Sequence, residues 1–283
     1  MDECTHDCSS CGASCPSREG PGGNLLAPMN AHSDVKHVIA VVSGKGGVGK
    51  SLVTALMACT LQHKTKKAAV LDADITGPSV PKLFGLEDRQ AEADERGLLP
   101  LRGKNGVQAM SINLLLEDVT TPVLWRGPVL AGVVKQFWTD VCWGDVEYMF
   151  VDMPPGTGDV PLTVFQSLPV KGIIIVTSPQ ELVGMIVEKA VRMAEMMSVP
   201  VLGIVENMSY FECPDCGKRH EIFGASHVQE IAEKYGIANV ARLPMDPAVA
   251  AACDAGEIAG IRAEWLDGFA EQLVRDVEKS DKQ

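Results

Sequence analysis

The chain has 283 residues, 46% of them hydrophobic, and a formal net charge of −12 at pH 7. That length suits one large α/β domain or two small ones with a sizeable core. The acidic balance argues against a broad nucleic-acid footprint, which needs clustered Lys and Arg, and no apolar run is long enough to span a bilayer.

Residues 1–35 read as a cysteine-rich tail and linker. They hold Pro16, Gly20, Pro21, Gly22, Gly23 and Pro28, few large apolar residues and no periodicity. The start, Met1-Asp2-Glu3-Cys4, lacks the positive-then-apolar pattern of a signal peptide. The expectation is a cytoplasmic protein with no membrane and no nucleic-acid partner. Within the tail, Cys4, Cys8, Cys11 and Cys15 lie within twelve residues. Four cysteines outside a core are poor packing residues and could enclose one metal centre, with Fe–S and zinc both allowed. Cys59, Cys142 and Cys253 stand alone in apolar or helical stretches and read as buried structural thiols.

From residue 36 the pattern predicts a single domain reaching to 283. Apolar runs at 38–42, 68–71, 148–151, 173–176 and 201–205 read as strands covered on both faces. Helical stretches follow at about 50–63, 128–141, 181–198, 225–235, 247–254 and 263–279, with Asp246-Pro247 as an N-cap and N1 pair. The last stretch carries Trp265, Leu266, Phe269, Leu273 and Val277 at helical spacing. Residues 263–283 are acidic on balance, so core packing is favoured over a membrane-surface helix. The rhythm is that of a doubly wound, mostly parallel sheet with helices on both faces.

Between the first strand and first helix lies Gly44-Lys45-Gly46-Gly47-Val48-Gly49-Lys50-Ser51. Glycines there let backbone N–H groups turn around phosphate oxygens, and the helix N-terminus adds a positive field. Lys50 would neutralise the β- and γ-phosphates and Ser51 would hold Mg²⁺. Gly44, Gly46 and Gly49 also fit the dinucleotide fingerprint, with Asp72 at the distance of a ribose-binding acid. Lys50-Ser51 has no role in a dinucleotide loop, and Asp152 ends a further strand as a Walker-B-type acid should. A nucleoside triphosphate, ATP, is therefore the expected ligand. Lys45 reads either as a solvated charge or as a finger that neutralises transition-state charge across a dimer.

Three more segments end strands where ligands bind in open α/β sheets. Asp72–Ser79 supplies Asp72 and Asp74, one to hold Mg²⁺ through water and one to orient the attacking water. Asp152–Asp159 is a proline- and glycine-stiffened loop near the γ-phosphate. In Glu206-Asn207-Met208, Asn207 could read a base edge. Further on, Cys213-Pro214-Asp215-Cys216 is a C-x-x-C knuckle able to reach one metal centre. Two ligands are half a set, and His220 reads as an ordinary surface residue. A symmetric dimer sharing one centre completes the site most simply. Zinc and a redox dithiol are the rivals, the latter weakened because the pair follows a strand rather than opening a helix.

With its extra Lys45, the loop resembles the deviant Walker A of the MinD/ParA class of P-loop ATPases, which includes the nitrogenase iron protein. Asp72–Ser79, Asp152–Asp159, Thr177-Ser178-Pro179-Gln180, Glu206-Asn207-Met208 and Cys213–Cys216 together resemble the Mrp-type, or ApbC-like, iron–sulfur cluster carriers over residues 36–262. The resemblance implies a homodimer in which Lys45 reaches the neighbouring active site. It also implies Lys50 and Ser51 on phosphate and Mg²⁺, Asp74 positioning water, Asp72 and Asp152 near Mg²⁺, and Asn207 at adenine. Cys213 and Cys216 would bridge a [4Fe–4S] cluster across the dimer. The implied function is transfer of that cluster to apoproteins, coupled to ATP binding and slow hydrolysis. A positioning or partition-type ATPase with a structural zinc knuckle is the alternative. Cys4, Cys8, Cys11 and Cys15 depart from the family pattern.

Overall fold

The computed structural model describes residues 26–74, 79–116, 127–156, 158–179 and 183–282. In chain order the elements are β1 (Ser33–Val42), α1 (Lys50–His63), β2 (Ala68–Asp72), α2 (Ser79–Leu83), β3 (Ala93–Asp94), β4 (Gly97–Leu98), β5 (Leu101–Arg102) and β6 (Gln108–Met110). Then come α3 (Gly127–Thr139), β7 (Gly144–Asp152), α4 (Asp159–Ser167), β8 (Val170–Thr177), α5 (Val183–Met196), β9 (Val201–Glu212) and β10 (Arg219–His220). The chain closes with α6 (Val228–Lys234), β11 (Val240–Pro244), α7 (Pro247–Asp254) and α8 (Asp267–Ser280).

The main sheet runs in the order β10-β9-β8-β1-β7-β2-β6-β5, with β11 also paired to β9. β1 pairs parallel with β7 and β8, β2 with β6 and β7, and β9 with β8 and β11. Among the described residues only β5 and β10 join this sheet antiparallel. Val38 to Val42 in β1 are all buried, as a central strand covered on both faces requires. One face is covered by α1, α2, α7 and α8, whose Val53, Leu61, Val80, Val249, Phe269 and Leu273 share a core with alternate strand residues. The opposite core takes Val134 and Phe137 of α3, Val164 of α4, Val187 of α5 and Val228 of α6. The expected doubly wound α/β architecture is therefore present.

All five expected strands and all six expected helices form; α1 and α7 keep the expected ends, and most of the others shift. α8 starts at Asp267 because residues 264–266, including Trp265, wind into a 3₁₀ turn first. Phe269, Ala270, Leu273 and Val277 of α8 are buried against the sheet and α1, so core packing is its role. The Asp246 carboxylate accepts the N–H of Ala248 at 2.8 Å with Pro247 at N1, as anticipated. The short pieces between 79 and 110, helix α4 and strand β11 were not anticipated. The fold also reaches back before residue 35. The N–H of the buried Ala27 donates to the Ser167 carbonyl at 2.8 Å, and its own carbonyl accepts the Trp138 indole N–H at 3.1 Å.

Gly203 of β9 shows how tightly the outer strand is packed. A Cβ there would stand 2.5 Å from Cε2 of Phe269 and 2.7 Å from the Asn239 carbonyl oxygen. The backbone oxygen cannot yield as a flexible side chain can. Gly203→Ala is expected to cost about 1–3 kcal/mol through overpacking, measured as a lower denaturant midpoint with an unchanged slope.

Candidate functional site

The end of β1 leads directly into the glycine-rich loop, and Gly49 N-caps α1 in a left-handed conformation, φ 80°. Two requirements fix that glycine. A side chain is strained at this φ, and a Cβ would fall 2.1 Å from Nδ2 of Asn207. Asn207, the first residue of β9 beyond its pairing with β8, donates that amide to the Val48 carbonyl at 3.0 Å. The loop is thus tied to a strand two positions away in the sheet.

Lys50 opens α1 and is buried, with Nζ 2.6 Å from Oδ1 of Asp152 and 3.3 Å from Oδ2 of Asp74. Asp152 ends β7 beside Asp72 of β2, its register partner. Both carboxylates are buried. Burial, then the Asp152 charge, pushes the Asp72 carboxyl well above the usual range, against an opposing Ser111 hydrogen bond. Burial also raises Asp152, while Lys50 and the Ser51 hydroxyl act to lower it. Oδ2 of each carboxylate is buried without a hydrogen-bond partner. Two orphaned carboxylate oxygens beside a lysine and a serine hydroxyl form a donor set suited to a hard divalent cation.

Two spaces meet at the loop. A cavity of about 390 Å³ is bordered by Lys45, Lys50, Ser51, Asp74, Lys82 and Pro155. A cleft of about 640 Å³ is bordered by Asn207, Met208, Phe211, Ile222, Met245 and Val249. Gly47, Gly49 and Leu52 border both. A charged end continuous with an apolar end suits a nucleotide, phosphates in the first and base in the second. Lys45 is exposed on the rim of the charged end.

Cys213 and Cys216 occupy the turn between β9 and β10. The Cys213 N–H donates to the Lys218 carbonyl, and the Gly217 N–H returns to the Cys213 carbonyl at 2.8 Å. Backbone N–H groups of Cys216 and Asp215 approach the Cys213 sulfur and, with the Cys216 thiol, hold its pKa below the ordinary thiol value. A thiol held below its ordinary pKa gives up its proton more readily, as a metal ligand must. Among the described residues no group of three or more His, Cys, Asp or Glu is placed to hold a metal ion. His220 is exposed on β10, as expected.

Several expected positions lie outside the described residues: Cys4, Cys8, Cys11, Cys15, residues 75–78, Thr157 and Gln180. Of the three lone cysteines only Cys59 is buried, its thiol pushed up to about 12. Cys142 and Cys253 are half-buried, which corrects the expectation; Cys253 borders the charged cavity, and the Cys142 thiol lies 3.7 Å from the His32 carbonyl oxygen. Two site residues went unread. Thr54 donates to Asp152 at 3.1 Å from one turn beyond Lys50, a spacing the sequence carries. Ser111 reaches Asp72 from beyond a three-residue strand that has no periodic signal.

A strand, a glycine loop wrapped on a helix N-terminus, a buried lysine and strand-end carboxylates define a P-loop nucleotide site. Residues 34–277 match the family described as ParA, the NUBPL iron-transfer P-loop NTPases, and the chain belongs to that family. It is 44% identical over 264 residues to the iron-sulfur cluster carrier protein of Methanocaldococcus jannaschii, covering 90% of each chain. It is 42% identical over 231 residues to the cytosolic Fe-S cluster assembly factor Nubp2 homolog of Anopheles gambiae, covering 80% of this chain and 87% of the other. Among solved structures, the nucleotide-binding protein of Archaeoglobus fulgidus in complex with ADP superposes with TM-score 0.76 at 44% identity, over 83% of this chain and 92% of that one. The MinD cell division protein of Aquifex aeolicus, at 19% identity and TM-score 0.56 over 86% of this chain and 97% of its own, shares the fold.

Buried carboxylates set a pH dependence. A carboxyl whose folded pKa lies above its unfolded value binds more protons when folded, so stability falls as pH rises through that interval. Asp72 is such a group. Asp72→Asn removes a buried charge and is expected to raise the melting temperature of nucleotide-free protein at neutral pH by roughly 2–4 °C for each 1 kcal/mol gained. The gain should shrink as pH is lowered toward the carboxylate range. Calorimetry of both proteins from neutral to mildly acidic pH checks the sign.

Proposed function

We infer that this chain carries an iron–sulfur cluster and transfers it to apoproteins, with ATP binding and slow hydrolysis coupled to the transfer. One observation supports this reading above the others: the exposed Cys213–Cys216 turn is carried on β9, the strand whose Asn207 also holds the phosphate loop. The names of the relatives point to the same cargo, whereas the likeness to MinD supports only the fold, so the positioning-ATPase alternative is not favoured.

In this reading ATP lies with its phosphates against Gly44–Ser51 and its base in the cleft beside Met208 and Phe211. Asn207 uses one amide N–H on Val48, leaving the second N–H and Oδ1 for the base edge. Lys50 shifts part of its interaction from Asp152 and Asp74 to the phosphates. Ser51, Asp72 and Asp152 hold Mg²⁺, which supplies charge neutralisation at the phosphates. Asp74 orients the attacking water, and Lys45 reaches the phosphates of the second copy in a homodimer. Cys213 and Cys216 give two thiolates, and the same pair from the second copy completes a [4Fe–4S] ligand set on the two-fold axis. Cys4, Cys8, Cys11 and Cys15 form a possible second cluster site. The cytoplasm is the proposed compartment, supported by the cytosolic assembly factor among the relatives.

The test is anaerobic reconstitution of a chain in which Cys4, Cys8, Cys11 and Cys15 are serine, so that cluster is read at one site. Iron and sulfide should load at four each per dimer, the count of a [4Fe–4S] centre, and Cys213→Ala should abolish both loading and transfer to an apoprotein. Undiminished loading in Cys213→Ala, or zinc at about one per dimer without iron, overturns the reading. For the hydrolytic half, Asp74→Asn is expected to slow phosphate release roughly 10²-fold or more, while ADP affinity, measured by titration calorimetry, stays close to that of the parent.

A further inference from the structure

β9 pairs with β8 only as far as Glu206, the partner of Thr177, and then runs six residues beyond it to Glu212. Those six residues lead from the phosphate loop to the cysteines, and Met208 and Phe211 among them border the cleft. Asn207, the first of them, touches the phosphate loop. Met208, the next, is left-handed with φ 56°, a conformation that non-glycine residues adopt only when held there. Cys213 follows at most roughly 20 Å of extended chain from Asn207.

One side chain clasps this path on both sides. Arg242 of β11 sits opposite Glu206 in register. Its Nε donates to Oγ of Ser209 at 2.7 Å and lies 3.6 Å from Oε2 of Glu206. Ser209 in turn donates to that carboxylate oxygen at 2.5 Å. A terminal guanidinium nitrogen, Nη2, donates to Oε1 of Glu221 at 2.9 Å, just after β10 on the returning arm of the cysteine hairpin. Glu206 is fully buried, and its other oxygen, Oε1, lacks a partner. Its carboxylate therefore leans on Ser209 and Arg242, and neither contact can be given up cheaply. Glu206 is the immediate neighbour of Asn207. Contacts thus run from Asn207 through its neighbour Glu206 and Arg242 to Glu221 on the far arm of the hairpin.

We propose that Arg242 is a positioning residue that transmits nucleotide occupancy to the Cys213–Cys216 turn through Glu206, Ser209 and Glu221. The proposal rests on the carrier reading for its purpose, but its test does not use a cluster. The full cluster-free chain is alkylated with iodoacetamide, with and without Mg·ADP, and the rates at Cys213 and Cys216 are read by peptide mass spectrometry. In the parent chain nucleotide should change the Cys213 rate roughly fivefold or more, the range of ordinary site-to-site coupling. Arg242→Ala should bring the ratio to about one, with unchanged nucleotide affinity. Arg242→Lys keeps the charge but cannot span Ser209 and Glu221 together, so it should also lose most of the ratio. Glu221→Gln, a change at a half-exposed site that leaves the buried carboxylate intact, should weaken the ratio without unfolding the chain. A parent that binds ADP with no change in thiol reactivity overturns the proposal. So does an Arg242→Ala variant that keeps the full ratio. Failure of the carrier reading shows instead as absent iron in reconstitution, with the thiol ratios untouched.

Discussion

Lys50, Asp72 and Asp152 are three ionisable groups buried together where β1, β2 and β7 end, and a protein interior accepts such groups only when each is held by its neighbours. Moving one carboxylate into low dielectric costs several kcal/mol even after relaxation. Here one lysine faces Asp152 at 2.6 Å and Asp74 at 3.3 Å, while Asp72 has Ser111 and the Asp74 N–H. The set is under-neutralised, and its two orphaned oxygens mark where further positive charge is wanted. The parallel sheet makes this possible by bringing the ends of adjacent strands into register, so that Asp72 and Asp152 stand side by side. The fold thus keeps a group of buried carboxylates at the strand ends at a cost in stability.

The second dependence is steric. Gly49 must be left-handed to start α1, and it must lack a side chain because Asn207 passes against it. Through that contact β9 touches the central loop. β9 continues past the end of its pairing with β8 to become one arm of the hairpin that carries the cysteines. The phosphate loop and the cysteine turn, far apart in sequence, are therefore joined through one strand.

Much of this was legible in the residues. Long apolar runs identify central strands because parallel strands are covered on both faces, and the order strand, glycine loop, Lys50-Ser51 leaves little freedom. The doubly covered sheet, the acids at strand ends and the thiol pair all follow from local pattern. Illegible parts share a cause: their residues are chosen by distant partners. Ser111 has no local signal, since its meaning lies in Asp72 across the sheet. β11 is a five-residue edge strand whose Arg242 looks like a surface charge until Glu206 and Glu221 are placed around it. Cys253 read as a core thiol because its helix is apolar, yet that helix is thinly covered at the mouth of the charged cavity.

The last helix has a consequence for how the chain is made. α8 closes the core that α1 shares, with Phe269 filling the space that Gly203 leaves open. During synthesis the N-terminal strands and the phosphate-loop helix leave the ribosome long before residues 267–280. Until those residues arrive, part of the apolar face of α1 lacks its α8 cover, a kind of exposed surface that promotes aggregation of folding intermediates. The cysteine turn emerges in that same interval, on a strand whose outer packing is incomplete. Helix α8, packed on α1 and β9, therefore completes the packing behind the strand that carries the cysteine turn.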